Sequence, residues 1–212
     1  MYSLVRAVLW RPLPYPEPDR IVTLRVDARD VTNAGATPGE AVDLKDRARS
    51  LHQVSMIDTG AGNLEWMGEP ERIVQARVSD GVFPLLGARM ALGRALDTRI
   101  YARPGGAAAI AISGEFWRER FAADEGVIGR NVRLNDVEVE IAGVVAPGFR
   151  LFLPPAVSEA SEVDVWLPYS MDPVRRYRGT AVLARLRPGF SVEMANAELW
   201  ALAAQFEREH PE

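Results

Sequence analysis

The hydrophobic positions of this chain change period several times, and each change marks an element. Residues 20–27, RIVTLRVD, alternate: Val22, Leu24 and Val26 share one face, Ile21, Thr23 and Arg25 the other, which predicts a strand. The stretch TPGEAVDLKDRARSL announces a helix. Thr37 is placed to cap it, Pro38 takes the first helical position and Glu40 closes a capping box. Ala41, Leu44, Ala48 and Leu51 then recur at helical spacing. In VSMIDTGAGNLEWMGEPERIVQARVS, Gly60, Gly62 and Asn63 predict one turn and Gly68 to Pro70 another. Short strands lie between and after them, the last from Ile73 to Ser79. DGVFPLLG reads as a single helical turn capped by Asp80.

YARPGG is a surface loop, and AAAIAI after it is a continuous apolar run of the kind found in a buried strand. SGEFWRERF starts a short helix, with Ser113 as its cap and Trp117 and Phe121 on one face. NVRLNDVEVEIAGVV is the clearest hairpin. Asn135-Asp136 makes its turn, and Val137, Val139 and Ile141 form a face that needs covering. EVDVWLPY and TAVLARL are further strands. From Ser191 a long final helix runs with the stripe Ala195, Leu199, Leu202 and Phe206. Mixed strands with segregated helices define the fold class as α+β.

The first twenty residues fit none of these periods. An apolar decamer, MYSLVRAVLW, precedes prolines at 12, 14, 16 and 18, each of which fixes its own φ and restricts the residue before it. This reads as a stiff tether leaving a membrane. No run approaches the ~18 apolar residues that span a bilayer.

Composition removes several function classes. The 212 residues carry a net charge of −4, and the bases are arginines scattered among acids, with Lys45 the sole lysine. Nucleic acid recognition needs a one-sided basic stripe, which is missing. The absence of cysteine removes disulfides, thiolate metal sites and Cys nucleophiles. The histidines are His52 and His210 alone, so a His-rich metal site is excluded and a His-based triad would have to rest on His52. Ser113 sits at a strand-to-helix turn, but Glu115 two residues on is wrong for a nucleophile elbow. No phosphate loop is present: TGAGN is followed by a strand. No cofactor and no metal are therefore expected.

Among the acids Asp43, Asp46, Asp58, Glu65, Asp124, Glu125 and Asp164, the sequence forces no pair together. Trp117, Trp166 and Trp200 fall in patterned segments and read as core, whereas Trp66 lies at a hairpin position and is expected to be exposed. PVRRYRG is the densest basic cluster; Arg175, Arg176 and Arg178 are candidates for contact with anionic headgroups or an acidic partner. Trp66 joins them as a candidate partner contact.

Six phrases, in order, resemble the periplasmic core domain of ABC-transporter permeases of the macrolide-exporter (MacB) type, closest to the acidobacterial-type permeases in which that domain is duplicated. They are LWRPLPYPEPDRIV, VSDGVFPLLGARMALGRAL, AISGEFWRERF, VIGRNVRLNDVEVEIAGVVAPGF, DVWLPY and ARLRPGFSVEMANAELW. The resemblance implies a porter-like subdomain from residues 20–80 and 174–212, with a second, Sabre-like mixed α+β subdomain, 81–173, inserted. Residues 1–19 would be the membrane exit and tether, with MYSLVRAVLW the outer end of a helix, and EREHPE would lead back to the next span. Both chain ends are then expected on one side. The implied function is non-catalytic: transmitting ATP-driven transmembrane motion to substrate or adaptor outside the inner membrane. The implied partners are the permease's own transmembrane helices, a cytoplasmic ABC ATPase, and a periplasmic adaptor or second permease copy. The alternatives are a free-standing extracytoplasmic ligand-binding protein, and a glycan hydrolase using Asp58 or Glu65 near Trp66.

Overall fold

The structure, a computed structural model, describes residues 2–6, 14–26, 35–96, 109–152, 162–169 and 179–209. The chain divides into two compact units, Met1–Ile57 with Met171–Glu212, and Asp58–Ser170. YARPGG, PVRRYR and His210 lie outside the described residues.

The first unit carries an antiparallel sheet in the order β1 (Tyr2–Arg6), β2 (Ile21–Val26), β10 (Ala181–Leu186) and the opening half of β3 (Leu51–Trp66). Leu4 pairs with Leu24, Leu24 with Val182, and Val182 with Met56. Tyr2–Arg6 is thus a strand where the end of a helix was expected. The edge of β2 offers these residues ladder hydrogen bonds. Both faces of β2 are covered, since Ile21, Val22, Thr23 and Leu24 are all buried.

Helix α1 (Pro38–Arg47) begins with the predicted box: the Thr37 amide donates to Glu40 Oε2 at 2.7 Å and the Glu40 amide to Thr37 Oγ1 at 3.2 Å. It stops earlier than the periodicity suggests. Ala48 is extended, and Leu51 opens β3. The terminal helix, α4 (Val192–Glu209), packs against β1 and buries Ala195, Leu199, Ala203 and Phe206. Ala203 takes the place expected for Leu202, which is half-buried. Trp200, expected in the core, is 46% exposed, because a residue 100° round the helix from Leu199 leaves the packed face.

The second unit joins the closing half of β3 to β4 (Glu69–Val78), β9 (Val165–Pro168), β6 (Ala109–Ser113), β8 (Val137–Val145) and β5 (Met90–Gly93). β4–β9 and β6–β8 are parallel, while β6–β9 and β5–β8 are antiparallel. The short β7 (Asn131–Leu134) pairs with β8 on one side and β3 on the other, so β3, β4, β9, β6, β8 and β7 form a closed ring. This mixed sheet with few helices is the α+β class read from the sequence.

The expected turn at Gly60–Asn63 does not exist: β3 runs through it without a break. Glycine in a strand interior also marks a close approach, and that is the case at Gly62. A Cβ there would lie 2.5 Å from Gln75 Oε1. The second hairpin turn is as predicted, with Asn135 and Asp136 at φ 47° and 65°. Val137 was expected to be covered but is 56% exposed, whereas Val139 and Ile141 are buried. Helix α2 (Val82–Leu86) starts from Gly81, at φ 94°, rather than from an Asp80 cap. Helix α3 (Gly114–Phe121) starts as predicted, with the Phe116 amide donating to Ser113 Oγ at 3.1 Å. Phe116 and Phe121 join Ile110, Ile112, Ile141 and Val144 in the core of this unit. Each such side chain contributes ~2 kcal/mol on burial.

Candidate partner-binding surface

Trp66 closes β3 just before the Met67-Gly68 hairpin turn, where Met67 takes φ 55° and Gly68 φ 83°. Its ring is half-buried, not free as expected. It lies 5.3 Å from the Phe121 ring, and the Arg130 guanidinium sits 5.6 Å from its centroid. Arg130 is itself fixed, since its Nε donates to the Gly126 carbonyl at 2.8 Å and it pairs with the Asp124 carboxylate. Asp124 caps the short 3-10 turn Glu125–Val127. The aromatic group is thus presented at little further entropy cost, as a contact residue should be.

Beside it, Met67 is 84% exposed. A shallow groove open to solvent runs between Glu65, Trp66 and Met67 on one side and Asn131, Arg133 and Glu138 on the other. Cross-strand register brings these together: Glu65 stands opposite Arg133, and Arg133 opposite Glu138. Asn135 ties the two hairpins. It receives the Asn63 amide on Oδ1 at 2.9 Å and donates to Gln75 Oε1 at 3.2 Å.

The carboxylates proposed for glycan chemistry do not form a catalytic pair. Asp58 pairs with Arg77, and Glu65 lies 3.9 Å from Arg133. Seven residues of extended β3 separate the two acids, about 20 Å along the strand, against the ~10 Å that the chemistry allows. Glu65 does share its groove with Glu138, but Arg133 stands between them and Asn131 donates to Glu138 Oε1 at 2.7 Å. Ser113 is engaged as a helix cap and His52 is exposed on β3. Among the described residues no cluster of three or more His, Asp or Glu side chains is placed to hold a metal. Trp166 is buried as expected, whereas Trp117 is only partly so, its Nε1 donating to the Asp124 carbonyl at 2.8 Å. Arg175, Arg176 and Arg178 lie outside the described residues.

A second arrangement, in the first unit, was not anticipated. Arg185 on β10 is 5% exposed, and its guanidinium reaches the proline segment. Nη1 donates to the Pro16 carbonyl at 2.6 Å and the Glu17 carbonyl at 3.2 Å, and lies 3.5 Å from the Glu17 carboxylate; Nε donates to Gln53 Oε1 at 3.3 Å. Burial lowers the pKa of this guanidinium; Glu17 opposes that effect and Arg20 adds to it. Arg20 in turn pairs with Glu17 and donates from Nε to the Leu186 carbonyl at 2.8 Å. Glu17 is held at φ 48° and is followed by a 3-10 turn, Pro18–Arg20. The prolines therefore do not keep the chain extended to the start of β2. An elbow pinned to β10 interrupts them, at a backbone cost of ~1–2 kcal/mol that the buried arginine offsets. The sequence signal was faint: an arginine within the otherwise apolar strand AVLARL.

The described residues thus form two α+β units, one of them built from both chain ends. The chain belongs to the MacB-like periplasmic core domain family, whose model matches residues 1–202. It is similar to the periplasmic region of MacB from Actinobacillus actinomycetemcomitans, with a TM-score of 0.66 at 13% identity, over 88% of this chain and 84% of that one. It is similar to a domain of a protein described as a permease from Porphyromonas gingivalis, with a TM-score of 0.68 at 17% identity, over 93% and 87%. The extracellular domain of the ABC-type transporter YknZ from Gram-positive bacteria gives a TM-score of 0.63 at 15% identity, over 87% and 95%. At these identities the solved structures support the fold. No curated protein matches the chain. Among the described residues no helix is long and apolar enough to cross a membrane.

Proposed function

We propose that this domain passes ATP-driven movement of the permease's transmembrane helices to a substrate or adaptor outside the inner membrane, and makes or breaks no bonds itself. The carrying observation is Arg185, which fixes the proline segment to β10 through the carbonyls of Pro16 and Glu17. A displacement of that segment is delivered to the sheet rather than absorbed by a slack linker. On this reading residues 1–19 are the membrane exit and tether, residues 20–80 with 174–212 the porter-like subdomain, and residues 81–173 the inserted one. Contact with the partner falls to Trp66 and its hairpin, together with Arg175, Arg176 and Arg178. Drive comes from a cytoplasmic ABC ATPase through the membrane part.

The test is amide hydrogen exchange on the complete transporter, with and without trapped ATP. Exchange at residues 63–68 and 133–138 should change with nucleotide in the parent protein and stay constant in Arg185→Met, with ATP binding retained. Identical exchange in both nucleotide states of the parent would refute transmission. For the contact surface, Trp66→Ala should weaken adaptor or vesicle association while the domain stays folded, and the triple Arg175, Arg176, Arg178→Ala variant should weaken it with an unchanged melting temperature. Unaltered association removes those residues.

A further inference from the structure

Sulfur enters this chain only as methionine: there are six, and no cysteine. Four of them lie among the described residues, and their access to water differs widely. Met56 is 0% exposed, Met90 is half-buried, Met194 is 53% exposed and Met67 84%, the highest value among the described large apolar side chains. Met67 also stands where local preference would not put it. With Gly68 it makes the two-residue turn between β3 and β4, at φ 55° and 83°. Asn, Asp or Gly takes the first of these positions at least cost, because positive φ crowds any other side chain. A flexible apolar side chain held there, in water, gains no burial and works against its own backbone. Departures of this kind concentrate at functional positions. The thioether lines the same groove as Trp66, Asn131 and Arg133.

We propose that Met67 is a site of reversible oxidation, and that its conversion to the sulfoxide by a hydroperoxide releases the partner held by the Trp66 hairpin. This rests on the contact part of the function proposed above. The sulfur lone pair attacks the terminal peroxide oxygen, the O–O bond breaks, and one sulfoxide and one water leave the reaction when the oxidant is hydrogen peroxide. A methionine sulfoxide reductase reverses the step at the expense of a dithiol, which becomes a disulfide while the oxygen departs as water. Oxidation replaces a soft apolar group by a polar, chiral one. Asn131 and Arg133, across the groove, are donors from which the new oxygen can accept. The change is confined to the surface: Met67 is not part of a core, whereas the same oxidation at Met56 would disrupt one.

The test has two stages. First, the chain is treated with hydrogen peroxide and each methionine is followed by peptide mass spectrometry. Met67 should be oxidised fastest of the four, at least ~10-fold ahead of Met56, with an unchanged circular dichroism spectrum. Sulfoxide reductase with dithiothreitol should restore it. Met67→Asn should unfold at a urea concentration no lower than the parent. Second, amide exchange at residues 63–68 is compared between the chain alone and the complete transporter. It should be slower in the transporter while Met67 is reduced, rise towards the value of the chain alone after peroxide, and ignore peroxide in Met67→Leu. Oxidation of Met67 slower than that of Met90 or Met194, or a lower urea midpoint in Met67→Asn, would overturn the proposal and leave the contact reading standing. Exchange in the transporter that ignores peroxide, or responds equally in Met67→Leu, would also overturn it. Exchange at 63–68 that is the same in the chain alone and in the transporter would mean that nothing covers the hairpin, and both readings would fall.

Discussion

Glu198 on α4 holds the start of β3, and its removal gives the sharpest test of how the first unit is assembled. Its Oε1 accepts the Arg49 amide at 2.8 Å and its Oε2 the Ser50 amide at 2.8 Å, with the Ser50 hydroxyl bonded to the same oxygen. Ser50 is 0% exposed, so in Glu198→Ala its amide and hydroxyl lose a partner that water cannot replace. The Arg49 amide is exposed and rehydrates. One buried donor group left unmet costs about 1–3 kcal/mol, and the hydrogen bonds involve an ionised acceptor, which favours the upper half of that range. The expected loss is therefore ~2–3 kcal/mol, read by urea unfolding at constant m-value with tryptophan fluorescence. The loss should also depend on pH. Burial alone would raise the Glu198 pKa, but the bonds from Ser50 and Arg49 outweigh it and hold the carboxyl below its ordinary value of 4.5. A depressed carboxylate pKa stabilises the fold above the unfolded value, and that contribution fades as pH drops through the folded one. The difference between parent and Glu198→Ala should thus be full at pH 7 and shrink only below about pH 4.5. A loss under ~0.5 kcal/mol at pH 7, or a difference unchanged down to pH 2, would refute the account.

Three further outcomes follow from the same reasoning. Asp164 has its carboxyl pKa pushed up by burial, with Glu71, Glu119 and Glu162 adding and the Val74 amide opposing. Its ionisation therefore costs stability as pH rises above the ordinary 3.8 through the folded value. Asp164→Asn, which keeps an acceptor for Val74, should be more stable than the parent at pH 7, with the advantage closing as the solution is acidified; thermal melts at both pH values decide it. Arg185→Met should lower stability by ~1 kcal/mol and raise amide exchange at residues 17–21, since the exposed Glu17 carboxylate and the Pro16 and Glu17 carbonyls lose their donor but can rehydrate; protection unchanged there would show that Arg185 does not hold the elbow. Gly62→Ala should cost ~1 kcal/mol by displacing Gln75 from Asn135, whereas Gly60→Ala, with nothing within 4 Å of its Cβ, should be neutral. Equal effects in chemical denaturation would contradict the close-approach reading of Gly62.

Local chemistry made much of this fold legible in the sequence. Thr37-Pro38-Glu40, Ser113 and Asn135-Asp136 each specify a cap or a turn through their own side chains, and each stands where expected. The errors share a different origin. Gly60, Gly62 and Asn63 resemble a turn, but the hairpin that passes beside them, not local propensity, decides that β3 continues. Trp200 matches an apolar stripe in composition yet lies one position off the packed arc. Trp66 belongs to a hairpin end, but Arg130 and Phe121, distant in sequence, hold its ring. The Arg185 elbow showed only as an arginine in an apolar strand, because its partners are backbone carbonyls, which leave no mark in a sequence. The family itself was readable because its signal is distributed over six phrases rather than held in one motif.

The ring of the second unit is joined at β3–β7 by only two registered pairs, Leu64 with Leu134 and Glu65 with Arg133. The β6–β9 ladder has two pairs as well, but its residues are buried, whereas Glu65 and Arg133 face water, so the β3–β7 ladder is the one that parts more readily. Thermal breathing should therefore start at this seam, ahead of the long β3–β4 hairpin, and the seam borders Trp66. A partner that wedges against the indole would be pressing on a stave of this cask that few nails hold and water already reaches, and would meet a surface able to give way.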